Sequence, residues 1–185
     1  AERIVASPGA GSPASADILM GLRSKSLLRA YFPTGEGQTR FGLYESIRAY
    51  AKEKLEGMPE LEGALTRHTA WFLEAGSRLA AGAEGSREQL DALELERENL
   101  SAVFQRSLER HEPGAALGAV LALDPLLTMR GPFGAHLQML DAVVERLEGP
   151  LRGAALEARG RARLARGRAL EAHSDLIAAE ALAQA

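Results

Sequence analysis

A chain of 185 residues with 22 basic and 25 acidic side chains has no overall positive field. That excludes general attraction to a nucleic-acid backbone or an anionic membrane and leaves only local patches for such contacts. The absence of cysteine excludes disulfides, thiolate metal sites and cysteine nucleophiles, and no apolar run nears the roughly 20 residues that cross a bilayer.

The first residues lack the charged-then-apolar layout of a signal peptide, so the chain reads as cytoplasmic, without a membrane partner. Residues 6–16 are small and rich in Pro and Gly, the composition of a loop or linker. Asp17 is placed to cap a short helix over residues 18–25, with Ile18, Leu19 and Leu22 on one face. Residues 26–32 and 40–45 are short runs containing aromatic side chains. Between them Pro33 to Thr39 has the composition of a hairpin tip. From Ser46 the apolar period changes from that of a strand to that of a helix. Ile47, Tyr50, Ala51 and Leu55 share a face, and Gly57 and Pro59 end the segment.

The rest reads as a stack of antiparallel helices. Leu61, Leu65, His68, Phe72, Ala75 and Leu79 keep helical steps until Gly82 and Gly85 interrupt them. Ser86 and Gln89 have the spacing of a capping box, ahead of an apolar stripe through Leu90, Leu93, Leu100, Val103, Phe104 and Leu108. Pro113, Pro132 and Pro150 fall where further helices would begin, with Gly131 and Gly149 just before the last two. Leu117, Val120, Leu121 and Leu127 form one apolar face. Phe133, Leu137, Leu140, Val144 and Leu147 form another, and Pro125 should kink or end its helix. Gly167, Leu170, Asp175, Ala179 and Leu182 have spacings similar to the small and large positions of a tetratricopeptide repeat, in which Gly167 would let two helices approach and Ala179 would pack. The chain starts without methionine and stops within a helical pattern, which suggests a piece of a larger polypeptide.

The catalytic inventory is empty. Residues 21–26 echo the end of a phosphate-binding loop, but Ser24 stands where GxxxxGK(S/T) requires glycine. His68, His111, His136 and His173 are too dispersed for a zinc motif, and His68 sits on the apolar stripe of its helix as a hydrogen-bonded core histidine would. Arg159, Arg163 and Arg166 share one helical face, read as a solvated charged face offset by Glu157 and Glu171. The first 59 residues carry eight basic and six acidic side chains. Arg23, Lys25, Arg29 and Arg40 are the candidates there for contact with DNA phosphates.

Four stretches carry a resemblance: Lys25-Ser26-Leu27-Leu28; Arg40-Phe41-Gly42-Leu43-Tyr44-Glu45-Ser46-Ile47-Arg48-Ala49-Tyr50-Ala51; Arg67-His68-Thr69-Ala70-Trp71-Phe72-Leu73; and Glu94-Leu95-Glu96-Arg97-Glu98-Asn99-Leu100. In this order they resemble the region after the nucleotide-binding core of bacterial STAND ATPases, found in LuxR-type and AfsR-like transcriptional regulators. The resemblance implies a P-loop ATPase ahead of this segment, a winged helix packed on the nucleotide, and a helical or tetratricopeptide-like sensor behind it. It implies ATP or ADP in the parent protein; the motifs of this segment itself supply no cofactor, metal or catalytic residue. Leu43, Tyr44 and Glu45 align with the family's Met-His-Asp-like motif. Glu45 keeps the acid, but Tyr44 has no imidazole to offer a phosphate. Tyr44 and Glu45 are then expected to contact the nucleotide domain, with Arg48 as a supporting ion pair. The alternative is that Leu43 and Tyr44 are strand residues packed on Ile47 and Tyr50.

The expected fold is mainly α: a winged-helix-like unit with a β-hairpin at residues 1–57, an antiparallel helical-hairpin array at 58–150, and the start of a tetratricopeptide-like repeat at 151–185. Trp71, Phe72, Phe104 and Phe133 are assigned to packing between helices. The expected function is a non-catalytic regulatory module that works through protein partners or an adjacent ATPase domain. The alternative is a stand-alone winged-helix DNA-binding regulator with a helical dimerisation domain.

Overall fold

The computed structural model describes residues 15–32 and 39–184. Among them the chain is mainly α, as expected, with eight helices and one antiparallel pair of strands. The order is α1 (Ser15–Ser24), β1 (Leu28–Tyr31), β2 (Arg40–Leu43), α2 (Glu45–Leu55), α3 (Glu60–Ala81), α4 (Arg87–Glu109), α5 (Pro113–Arg130), α6 (Phe133–Val144), α7 (Gly149–Leu164) and α8 (Ala169–Ala183). Two compact units, Ala1–Trp71 and Phe72–Ala185, divide within α3. Among the described residues no helix is long and apolar enough to cross a membrane.

In the first unit α1 already includes Ser15 and Ala16, and Asp17 stands in its first turn rather than at its cap. There its charge still favours the positive end of the helix. The remainder of the expected loop and nearly all of the hairpin tip lie outside the described residues. α1 stops on a Schellman turn: Ser26 takes a φ of 58°, the Ser26 N–H donates to the Arg23 carbonyl at 2.9 Å and the Leu27 N–H to the Leu22 carbonyl at 3.0 Å. The phosphate-loop echo at residues 21–26 is therefore a helix C-terminus. Its carbonyl dipoles disfavour an anion, the reverse of the N-terminal arrangement that binds one.

The hairpin pairs Leu28 with Leu43, Arg29 with Gly42, Ala30 with Phe41 and Tyr31 with Arg40. Strand alternation puts Leu28, Ala30, Phe41 and Leu43 on one face and Arg29, Tyr31, Arg40 and Gly42 on the other. Only the first face has a buried residue, Leu28. α2 begins with Glu45 in its first turn and ends with Lys52 and Lys54 in its last, each charge matched to the helix dipole. No side chain of α1 or α2 is buried.

The second unit is built around α5. Eight of its 18 residues are buried, among them Leu117, Val120, Leu123 and Leu126, and α4, α6 and α7 all pack on it. One core cluster joins Val103, Phe104, Leu117 and Val120 to Leu140, Val143 and Leu156, and another joins Leu93 and Leu100 to Leu123 and Leu126. Close approach is required at Gly76 of α3, where a Cβ would stand 2.8 Å from Leu100 Cδ2 and 2.9 Å from Ala122 Cβ.

Helix ends follow the expected punctuation with two shifts. Ser86 caps α4, its hydroxyl accepting from the Gln89 N–H at 3.3 Å, and Pro113 opens α5. Pro132 is the N-cap of α6 rather than its first residue, and Pro150 is the second residue of α7. Pro125 does not end its helix. The ring removes one helical N–H, yet Leu126 and Leu127 bury beyond it and α5 continues to Arg130.

Candidate interaction surfaces

The residues expected to meet DNA are brought together only in part. Arg29 and Arg40 share the outward hairpin face with Tyr31, and Gly42 between them presents no side chain. A Cβ at Gly42 would sit 3.3 Å from Arg29 Nε and 3.6 Å from Tyr31 Cε1, so glycine lets these two side chains lie across the strand. Arg23 is in the last turn of α1 and Lys25 just beyond it, both exposed.

The candidates for nucleotide-domain contact sit at the start of α2. Tyr44 is the N-cap residue, extended in backbone and 50% exposed, and its side chain makes no cap hydrogen bond. Its carbonyl accepts the Arg48 N–H at 2.8 Å. Glu45 and Arg48 are both exposed on the first turn and a half of the helix. The packed-strand alternative holds for Leu43 only as the half-buried last residue of β2; Tyr44 belongs to neither strand, and Tyr50, 60% exposed, has Lys54 Nζ 5.3 Å above its ring.

The arginines of α7 depart furthest from expectation. Arg159 and Arg163 do not form a solvated face; both are largely buried against Asp175 of α8, itself only 5% exposed. Arg159 donates through Nη2 to Asp175 Oδ1 at 2.7 Å and through Nε to Oδ2 at 3.0 Å, while its Nη1 reaches Asp141 Oδ1 of α6 at 2.8 Å. Arg163 Nη1 donates to Asp175 Oδ2 at 2.7 Å. The Asp175 hydrogen bond holds the Arg159 guanidinium protonated beyond its ordinary range, against the pull of burial. A planar fork on a carboxylate is the strong form of ion pairing, and here it ties α6, α7 and α8 together. At the edge, Arg168 donates to Glu171 at 2.8 Å and 2.5 Å, which holds the Glu171 carboxyl below the usual range.

The small-residue contact between α7 and α8 lies seven residues away from its expected place. Gly167 has a φ of 74° and open space around it. It ends α7 by a Schellman turn, in which the Arg168 N–H donates to the Arg163 carbonyl at 3.0 Å. The close approach is at Gly160, where a Cβ would meet Leu176 Cγ at 2.9 Å and the Ala172 carbonyl at 3.3 Å. Phe133 also departs from its assigned face: it is 48% exposed, with the Arg166 guanidinium 4.5 Å from its ring centroid. The buried histidine is not His68, which is half-buried, but His136. Its Nε2 lies 3.0 Å from Asp124 Oδ1 without the alignment of a hydrogen bond. No sequence signal distinguished His136 beyond its place on the apolar face of α6.

Comparison with known proteins finds curated relatives in two mycobacteria. Each bears the name "Putative HTH-type transcriptional regulator", one in Mycobacterium bovis and others in two strains of Mycobacterium tuberculosis, at 30% identity over 111 residues. That stretch is 60% of this chain and 12% of the relative's length. No family model matches, and no solved structure does. The chain is thus similar to a short portion of much longer proteins named as transcriptional regulators.

Proposed function

We propose that this chain is the non-catalytic regulatory and protein-interaction module of a larger STAND-type signalling ATPase or transcriptional regulator in the cytoplasm. Partner or signal binding on the helical array would be coupled to a nucleotide-controlled winged-helix hinge. One observation carries the reading: Ile18, Met20, Phe32, Tyr44 and Tyr50 stand exposed in a unit whose one buried side chain, among the described residues, is Leu28. Apolar surface of that kind favours a covering partner, and in the resemblance the nucleotide domain occupies that role. The names of the relatives fit a regulator.

The proposed division keeps the hinge in residues 1–57, the helical array in 58–150 and a tetratricopeptide-like pair from 151 onward. Gly160 and Ala172, twelve positions apart, supply the small-residue spacing of that pair. The test begins with the reading frame ahead of Ala1 in the gene. A P-loop and an acidic metal-binding strand there support the reading, and their absence overturns it. In the whole polypeptide, Tyr44→Ala and Glu45→Ala should then each speed nucleotide release about fivefold or more, the usual size of coupling between sites.

A second reading, a DNA-binding regulator with a helical dimerisation domain, is favoured by the shared outward face of Arg29, Tyr31 and Arg40. Gel shifts at low and high salt with Arg29→Ala and Arg40→Ala test it. Binding that weakens with salt and with either substitution supports it, and no shift at low salt removes it.

A further inference from the structure

In the second unit a cavity of about 680 Å3 opens where the turn between α3 and α4 faces the middle of α5. We infer that it binds a small organic cation, an ammonium group carried on an apolar body. The apolar wall comes from Ala83 beside the turn, Leu90 of α4, and Pro125 and Met129 of α5.

The polar wall decides the sign of the ligand. Two carboxylates, Glu84 and Asp124, face the space, as do two guanidinium groups, Arg87 and Arg161. The arginines already face acids: Arg161 Nη1 bonds Glu157 Oε1 at 2.5 Å, and Arg87 Nε lies 3.8 Å from Asp91 Oδ2. An anion would compete with Glu157 or Asp91 for either guanidinium. The carboxylates keep spare capacity. Glu84 has no ion-pair or hydrogen-bond partner among the described residues. Asp124 Oδ1 is closed off beside His136 Nε2, 3.0 Å away, so an incoming donor would meet Oδ2, which has Arg161 Nη2 at 4.0 Å. A carboxylate in that state gains more from an incoming N–H donor than a satisfied one does. Arg87, 90% exposed at the rim, keeps its charge in solvent, and the Thr128 hydroxyl on α5 offers a further acceptor. Apolar walls with a few convergent polar groups are the usual make-up of a small-molecule site. Binding there requires nothing of the first unit, so its test is independent of the hinge reading.

The experiment is an amide NMR titration of the 185-residue chain with n-hexylamine, hexanol and hexanoate at neutral pH. The expected result is saturable shifts at Ala83, Leu90 and Met129 with the amine, weaker ones with the alcohol and none with the carboxylate. Asp124→Asn should weaken the amine about ten- to hundredfold, the range for losing a charged hydrogen bond. Glu84→Gln lies on an exposed turn, leaves the core untouched and should weaken it by a smaller factor, so a misfolded Asp124 variant does not leave the idea without a test. Equal binding of amine and carboxylate, or of amine and alcohol, overturns the inference. So does the absence of saturable shifts at these three amides, or amine binding unchanged by Glu84→Gln.

Discussion

The two units use similar residues to opposite effect. The first sets a pair of four-residue strands between two helices with no buried side chain, and leaves Phe32 73% exposed and Tyr50 60% exposed. The second buries Leu93, Leu100, Val120, Leu123, Leu126 and Leu140 completely. Apolar content alone does not make a core. What differs is that each long helix of the second unit has a neighbour of comparable length to cover its stripe, whereas a lone two-stranded hairpin is marginal in water.

The largest effect expected from breaking the second unit's half of this contrast comes from its buried charge. Asp175→Ala would leave the largely buried Arg159 with Asp141 alone and Arg163 with only its 3.7 Å approaches to Asp141 and Glu171, a loss of about 3 kcal/mol, the low end for removing one partner of a buried ion pair. A shift in the urea midpoint of that size confirms that the cluster fastens α6, α7 and α8; a shift no larger than that of a surface substitution would mean that water replaces the carboxylate.

Gly160→Ala comes next. A methyl group placed 2.9 Å from Leu176 Cγ and 3.3 Å from a backbone carbonyl must push α8 away from α7. Overpacking of this kind costs about 1–3 kcal/mol. The control is Gly153→Ala, where the nearest atoms are at 3.5 Å and little change in the midpoint is expected.

These two sites also mark the limits of what the chain's order of residues reveals. The helices were legible because their signals are local: Ser86 three before Gln89, Pro113 at a first turn, and apolar stripes with helical spacing. The hairpin was legible from two aromatic-containing runs on either side of a polar gap. Asp175 is not legible as the centre of the ion cluster, because its partner Arg159 is sixteen residues away on another helix and three arginines on one face look solvated when read alone. A signal was present, though. Asp175 sits with Ala172 and Ala179 on the one buried stripe of α8, and an acid in such a stripe calls for a cation. Gly167 misled for a related reason: glycine serves both close packing and left-handed helix ends, and only the three-dimensional neighbours separate Gly160 from Gly167. The candidate sites were less legible still. Tyr44, Glu45 and Arg48 stand out only through resemblance, and the cavity beside Asp124 assembles from segments about 40 residues apart in sequence, which no local pattern encodes.

Hydrogen exchange probes the contrast without substitution. Amides of Leu123 and Leu126 in α5 should exchange only through global opening, and those of Tyr31 and Arg40 in the hairpin through local opening, because little apolar surface is lost when the strands part. Protection of the hairpin equal to that of α5 would mean that the exposed face of the first unit is covered in solution.

The smallest expected effect is electrostatic and depends on pH. The Arg168 hydrogen bond holds the Glu171 carboxyl below its ordinary value in the folded chain. A depressed acid contributes its full stabilisation above its unfolded-state pKa and loses it as pH falls through the lower folded-state value. Glu171→Gln should therefore lower the urea midpoint slightly at pH 7, and the difference from the unsubstituted chain should fade on acidification through the carboxylate range. Both residues are about half exposed, so solvent screening keeps the effect small and added salt should shrink it further. The buried pair at Asp175 is shielded from salt and should keep its contribution under the same conditions. A salt-insensitive effect at Glu171 would place that carboxylate inside the fastening cluster instead of at its edge, where its 3.7 Å approach to Arg163 Nε now sets the boundary.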